Sequence, residues 1–123
     1  YKTSASRLRP LRSVDNIFDD SQLHNHADYY LQTMLYARIE RSRQSTPVAP
    51  ALLFIQHSSG DDYNPILKFG DEYINDVATA DGDRFVSLLM QKVNDIFDPS
   101  IPFTPTADTA RCRNCPYVQI CGL

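Results

Sequence analysis

The stretch Arg111–Leu123 constrains this chain more than any other, because it carries Cys112-x-x-Cys115-x5-Cys121 within a few turns of backbone. A Cys-x-x-Cys turn lets two thiolates chelate one centre, and a third thiolate six residues on can close back over it through a short loop. Pro116 and Gly122 suit the tight turns this needs. Structural zinc sites and cubane iron–sulfur clusters both normally take four protein ligands, so three cysteines in 123 residues leave one position unfilled. Either the chain is a piece of a longer protein or the site is completed differently. Reduced thiols, or a single disulfide, form the alternative without metal, and the odd cysteine count argues against a disulfide framework.

At 42% hydrophobic and 22% charged, the chain has enough apolar residues for one core. One domain over residues 1–123 is expected, with 106–123 as a cysteine-rich tail. No stretch approaches the roughly 18 apolar residues that span a bilayer, and no apolar leader core follows the first residues. A soluble cytoplasmic protein with no membrane association is therefore expected. The sequence opens on Tyr1 rather than Met, which is how the C-terminal piece of a larger protein would look.

The net charge of −3 hides an asymmetry: residues 1–43 hold seven of the twelve basic residues against five acidic ones, and the remainder holds five against ten. Any phosphate-facing surface is expected at the N-terminal end, around Arg7, Arg9 and Arg12. Solvated arginines on a loop and a helix end would give the same count.

Tyr1–Thr3 reads as a strand end, followed by a long Ser/Arg/Asp-rich loop to about Ser21. A helix is expected from there to Arg43, capped by Asp20 or Ser21, with Leu23, Ala27, Tyr30, Leu31, Met34, Leu35 and Ile39 as its apolar stripe. Beyond Pro47 and Pro50, Ala51–Gln56 is a continuous apolar run that reads as a strand buried on both faces. Strands are expected at Ile66–Phe69 and Tyr73–Val77, joined as a hairpin through Gly70-Asp71. A second helix is expected over Asp81–Phe97, facing Phe85, Leu88, Leu89, Val93 and Ile96 inward. The prolines of residues 98–105 then lead into the tail. The sum is an α/β fold: a small mixed sheet, two main helices and a C-terminal cysteine-rich tail.

Gln32 and Tyr36 stand four residues apart and share one helical face, with Asn25 and Tyr29 placed on the same polar edge. The rings of His24 and His26 point to different faces of a helix, and His57 suits a hydrogen-bonded surface position, so none of the three is expected to hold metal. Asp61-Asp62 and Asp71-Glu72 fall in turns, where adjacent acids are usually solvated.

Taken in order, Tyr1-Lys2-Thr3, Gln32-Thr-Met-Leu-Tyr36-Ala37, Phe103-Thr-Pro and Cys112-x-x-Cys115-Pro-Tyr-x-x-x-Cys121 resemble the C-terminal half of RecB-like nucleases of the PD-(D/E)XK superfamily, especially the AddB-type nuclease domain. The resemblance covers essentially the whole chain, and the cysteine spacing is its most specific element. It implies a fragment of a restriction-endonuclease-like core from a Mg²⁺-dependent DNA exonuclease, linked to a helicase domain or subunit in double-strand break repair. By the same resemblance Lys2 is the motif lysine, and Gln32 and Tyr36 lie near the active site and DNA. Cys112, Cys115 and Cys121 are then three of four ligands of a 4Fe–4S cluster, or of zinc in its place. The motif aspartate, the other metal-holding acids and the fourth cysteine would all lie upstream of Tyr1, so the chain alone is expected to be inactive. Two other readings remain: a non-catalytic zinc-binding interaction module, and an inactive nuclease-like scaffold for a helicase partner.

Overall fold

Apolar residues spaced three and four apart bury one face of the helix Ala27–Arg43 (α1), placing Ala27, Tyr30, Met34 and Ala37 in the core. Leu31 and Leu35 pack at the margin of the core, while Ile39 is 43% exposed and lies outside it. The structure, a computed structural model, describes residues 10–55, 58–60, 63–104, 106 and 109–122. The strand expected at Tyr1–Thr3, together with Lys2, Arg7, Arg9, Gln56, His57, Asp61, Asp62 and the Leu23 side chain, lies outside what is described.

The α-helix begins later than the sequence predicts. Asp20–Asn25 forms a 3-10 helix, and His26 then adopts φ 61°, a left-handed conformation that an α-helix cannot incorporate. The His26 carbonyl accepts from the Tyr29 and Tyr30 amides at 2.9 and 3.3 Å, and its ring stacks on Tyr29 at 4.7 Å. Asn25 therefore precedes α1 and bonds to Gln22 at 2.9 Å, so it does not extend the Gln32–Tyr36 edge.

The segment expected to be a polar loop contributes three core residues. Val14–Phe18 is a 3-10 helix, and Leu11, Val14 and Ile17 are each at most 5% exposed. Val14 and Ile17 are one turn apart on that helix and share its buried side, while Leu11 before it is held by its bridge to Phe69; Arg12, Ser13 and Asp15 face water.

Lys68–Phe69 (β1) and Glu72–Tyr73 (β2) form the antiparallel hairpin that Gly70-Asp71 predicts, with Gly70 at φ 58° in the turn. Leu11 adds a parallel bridge to Phe69, and its carbonyl accepts from the Gly70 amide at 2.7 Å, which makes the pairing mixed. The doubly buried strand expected over Ala51–Gln56 does not form. Ala51 makes one isolated antiparallel bridge to Ile66, flanked by Leu52 N to Pro65 O and Leu67 N to Pro50 O at 2.8 Å each. Phe54 is buried, but Leu53 and Ile55 are 45% and 47% exposed, because only one side of the segment meets the core. Tyr63 braces it: its hydroxyl donates to Leu52 O at 2.9 Å and accepts from Phe54 N at 2.7 Å. Tyr30 ties α1 to the hairpin by donating its hydroxyl to Lys68 O at 2.7 Å, and burial pushes its phenol above the usual pKa.

The strand expected over Tyr73–Val77 stops at Tyr73, since the chain turns away around the Asp76 carboxylate. That carboxylate accepts from the amides of Ala78 (3.1 Å) and Val48 (3.3 Å) and from Arg41 Nε (3.1 Å). Ala80–Phe97 (α2) starts one residue from its expected position, and Phe85 is fully buried against Phe18. Gly82 in its first turn sits against the Val77 backbone: a Cβ there would lie 1.8 Å from the Val77 carbonyl oxygen. Arg38 donates to the same oxygen at 2.9 Å and pairs with Asp83 at 3.1 Å.

The chain divides into two compact units, Tyr1–Lys92 and Val93–Leu123. The second comprises the end of α2, an extended stretch and a short helix, Thr109–Cys112 (α3), with the residues expected as the tail inside it. Ile96, expected to face inward, is 56% exposed. Among the described residues no helix is long and apolar enough to cross a membrane.

Two outcomes follow from the Val77–Asp76 corner. Gly82→Ala has no room for its methyl group and is expected to cost about 3 kcal/mol or more, read as a lowered urea midpoint, against near-neutrality for the exposed Ser87→Ala. The Ala78 amide first, then the Val48 amide and Arg41, hold the Asp76 carboxyl below its ordinary value of 3.8. Its stabilising contribution is therefore complete above pH 3.8 and is lost as pH falls through the depressed folded value. Asp76→Asn, which keeps an acceptor oxygen but no titration, should flatten that acid limb in denaturation curves recorded across the range.

Candidate nucleic-acid interface

The polar edge of α1 forms one wall of an open groove. Gln32 donates from Nε2 to the Tyr36 hydroxyl at 3.1 Å, and Tyr36 is 61% exposed, so the expected pair is joined and lies outside the core. Thr33, Ala37 and Glu40 complete that wall, and residues 48–53 form the other, enclosing about 630 Å³. That volume falls within the roughly 300–1,000 Å³ of small-molecule sites.

Two devices set the distance between the walls. Val48 donates to Asp76, which also accepts from Arg41 of α1, and the Val48 carbonyl accepts from the Val77 amide at 3.0 Å. The segment is thus tied through a single corner to the helix it faces. Pro47 and Pro50 favour an extended backbone on either side of Val48.

The groove is not cationic. None of its lining residues is Lys or Arg, while Glu40 is acidic, with Arg43 3.8 Å away. Arg38 and Arg41, counted in the basic surplus of residues 1–43, are ion-paired to Asp83 and Asp76, so that surplus is smaller in the fold than in the sequence. Arg12 is exposed, whereas Arg7, Arg9 and Lys2 lie outside the described residues. Tyr29 is half-buried and stacked on His26.

The cysteines lie in the second unit on successive turns. Cys112 ends α3, its carbonyl accepts from the Cys115 amide at 3.1 Å, and the Cys121 amide donates to Tyr117 O at 3.4 Å. Cys112 and Cys115 are half-buried, Cys121 is exposed, and no disulfide joins them. Thiolates are the right donors for zinc or an iron–sulfur cluster, yet the turns do not gather the three sulfurs into one donor set. Among the described residues no group of three or more His, Cys, Asp or Glu is placed to hold a metal ion. His24 is exposed, and Asp71 and Glu72 are exposed at the hairpin.

Sequence reasoning missed Glu40, the wall at 48–53 and the Asp76 hub. Arg41 and Asp76 are separated by 35 residues, which no periodicity connects. The wall did carry a signal in its flanking prolines, but the apolar run was read as buried strand.

A family model described as the PD-(D/E)XK nuclease superfamily matches residues 1–122. No curated protein and no solved structure matches the chain significantly.

Proposed function

This chain belongs to the PD-(D/E)XK nuclease superfamily, and from that premise we propose that it is the C-terminal part of a RecB/AddB-like nuclease domain. The whole protein would be a DNA exonuclease joined to or partnered with a helicase in double-strand break repair. Membership implies nuclease chemistry with DNA as the substrate. The finer reading is supported by the order of Gln32-x-x-x-Tyr36 and Cys112-x-x-Cys115-x5-Cys121 along the chain.

The observation that carries it is the Gln32–Tyr36 pair. An exposed side-chain bond between residues four apart on a helix contributes only about 0.2–0.5 kcal/mol, so stability does not account for it. Its consequence is orientation: the amide holds the phenol at the lip of a groove, as a substrate-facing surface requires. In this reading Lys2 supplies a cation beside the phosphate and Arg7, Arg9 and Arg12 meet the DNA backbone. Mg²⁺, when bound by acids outside this sequence, would activate water and neutralise developing charge. A 4Fe–4S cluster, or zinc, on Cys112, Cys115 and Cys121 would serve as a staple for the tail, a proposal that rests on spacing.

In the parent nuclease, Gln32→Ala and Tyr36→Ala should each slow cleavage of linear DNA by about 10- to 100-fold while circular dichroism and the denaturation midpoint stay unchanged. The chain of residues 1–123 alone should show no appreciable Mg²⁺-dependent cleavage in that assay. Loss of folding in the variants would reassign the pair to packing, and robust cleavage by the isolated chain would remove the upstream acids from the account. Metal analysis of the anaerobically purified parent should find iron with acid-labile sulfide, or zinc, in stoichiometric amount. Cys115→Ser and Cys121→Ser should deplete it; an unchanged content would dismiss the cysteines as ligands.

A further inference from the structure

A disulfide joins two cysteines only when their α-carbons lie about 4.4–6.8 Å apart, so backbone geometry decides which thiols of a cluster can pair. The three cysteines of the tail all lie in the second unit, and no disulfide joins them. Cys112 and Cys115 are the two ends of one hydrogen-bonded turn, the Cys112 carbonyl accepting from the Cys115 amide at 3.1 Å. A turn closed in this way holds its first and fourth α-carbons within about 7 Å, which meets that requirement. Cys121 is placed differently. It follows Cys115 across further turns, closed by Val118 N to Cys115 O at 3.3 Å and by Cys121 N to Tyr117 O at 3.4 Å. At about 1.5–2.0 Å per residue, six residues of such turns advance about 9–12 Å, beyond the reach of a disulfide. The tail thus offers one pair and one separate thiol.

We propose that Cys112 and Cys115 form a reversible dithiol–disulfide pair, closed by exchange with a small disulfide of the glutathione type, while Cys121 stays a thiol. The thiolate of one cysteine attacks a sulfur of the small disulfide, which forms a mixed disulfide and releases one thiolate of the small molecule. The thiolate of the other cysteine then attacks the protein sulfur of the mixed disulfide, closing the ring across the turn and releasing the second. Two protein thiols are oxidised, one small disulfide is reduced to two thiols, and the two cysteine protons end on them. Cys112 and Cys115 are half-buried, so a reagent can reach them, and the exposed Arg113 between them places positive charge where an anionic oxidant such as glutathione disulfide approaches. The pair uses sulfurs that the metal staple proposed above would also use. Oxidation therefore withdraws two of the three thiolates from any metal, and the two states exclude each other. The pairing stands on the geometry of the turn whether or not the staple does.

The test is a thiol map of the full chain, purified with a chelator, equilibrated with oxidised glutathione, quenched with N-ethylmaleimide and digested with trypsin. Cleavage after Arg111 and Arg113 puts Cys112 and Cys115 on separate peptides. The expected product is the dipeptide 112–113 disulfide-linked to 114–123 with Cys121 alkylated, in about tenfold excess over either pairing with Cys121. Dithiothreitol added before the quench should return three alkylated thiols. Cys121→Ser should leave the link intact, and Cys115→Ser should stop at the mixed disulfide on Cys112. A link lost in Cys121→Ser, an alkylated 112–113 dipeptide beside a joined Cys115 and Cys121, or glutathione adducts on all three cysteines without a link overturns the pair. DNA cleavage and the metal content of the anaerobic parent are read separately, so failure of the pair leaves the nuclease and staple readings to their own assays.

Discussion

The backbone of Val77 is the point on which the first unit depends. Its side chain is fully buried, its amide donates to Val48 O, and its carbonyl accepts from Arg38 while pressing against Gly82. One residue thereby joins α1, the extended segment opposite it and the first turn of α2. A side chain at position 82 would push that carbonyl away, and the Arg38 bond would move with it. Asp76, one residue earlier, repeats the arrangement with a carboxylate in place of a carbonyl. Because Val48 is bonded to both residues, the corner that orders the core also fixes the far wall of the groove. The placement of Gln32 and Tyr36 opposite residues 48–53 is thus a consequence of packing some distance from either.

What the sequence made legible follows from the range of the interactions involved. The second helix was recovered almost to the residue and the Gly70-Asp71 turn falls where expected, because period and turn chemistry are local, although the strand expected over Tyr73–Val77 ends at its first residue. The buried face of α1 was equally plain, but its start was not, since nothing in Asn25-His26-Ala27 advertises a left-handed residue. Leu11, Val14 and Ile17 show a different failure. Val14 and Ile17 are spaced by the period of the 3-10 helix they occupy and Leu11 precedes it in a bridge to Phe69, yet the Ser, Arg and Asp around them dominate the composition and read as loop. At residues 51–55 the run of apolar letters concealed an alternation that only the fold supplies, with Phe54 inside and Leu53 and Ile55 outside. The pairing of Gln32 with Tyr36 could be read from spacing; the groove beside it could not, because its other wall comes from a segment fixed by long-range bonds.

Charge tells a related story. The count of basic residues in the N-terminal third suggested a surface for phosphates, but a guanidinium paired to a carboxylate contributes little field to an approaching anion. Arg38 and Arg41 are spent in this way on Asp83 and Asp76, and Arg84, from the acidic remainder, reaches back to Asp15 at 2.6 Å and holds that carboxyl below its usual pKa. The arginines of the helix thus act mainly as ties between elements. The groove has no Lys or Arg in its lining, and its Glu40 carboxylate lies 3.8 Å from Arg43, so it is close to neutral.

A near-neutral groove has to rely on something other than charge. A long polyanion is drawn in by charge at any point along its length, so charge alone cannot select an end. A groove with no Lys or Arg in its lining adds nothing to that attraction. With Glu40 paired to Arg43, the groove acts through its shape and through the side chains held at its lip. The hydrogen bond from Gln32 then matters chiefly for the ring it orients: an exposed tyrosine samples several rotamers, and fixing one before any ligand arrives lowers the entropy lost on binding.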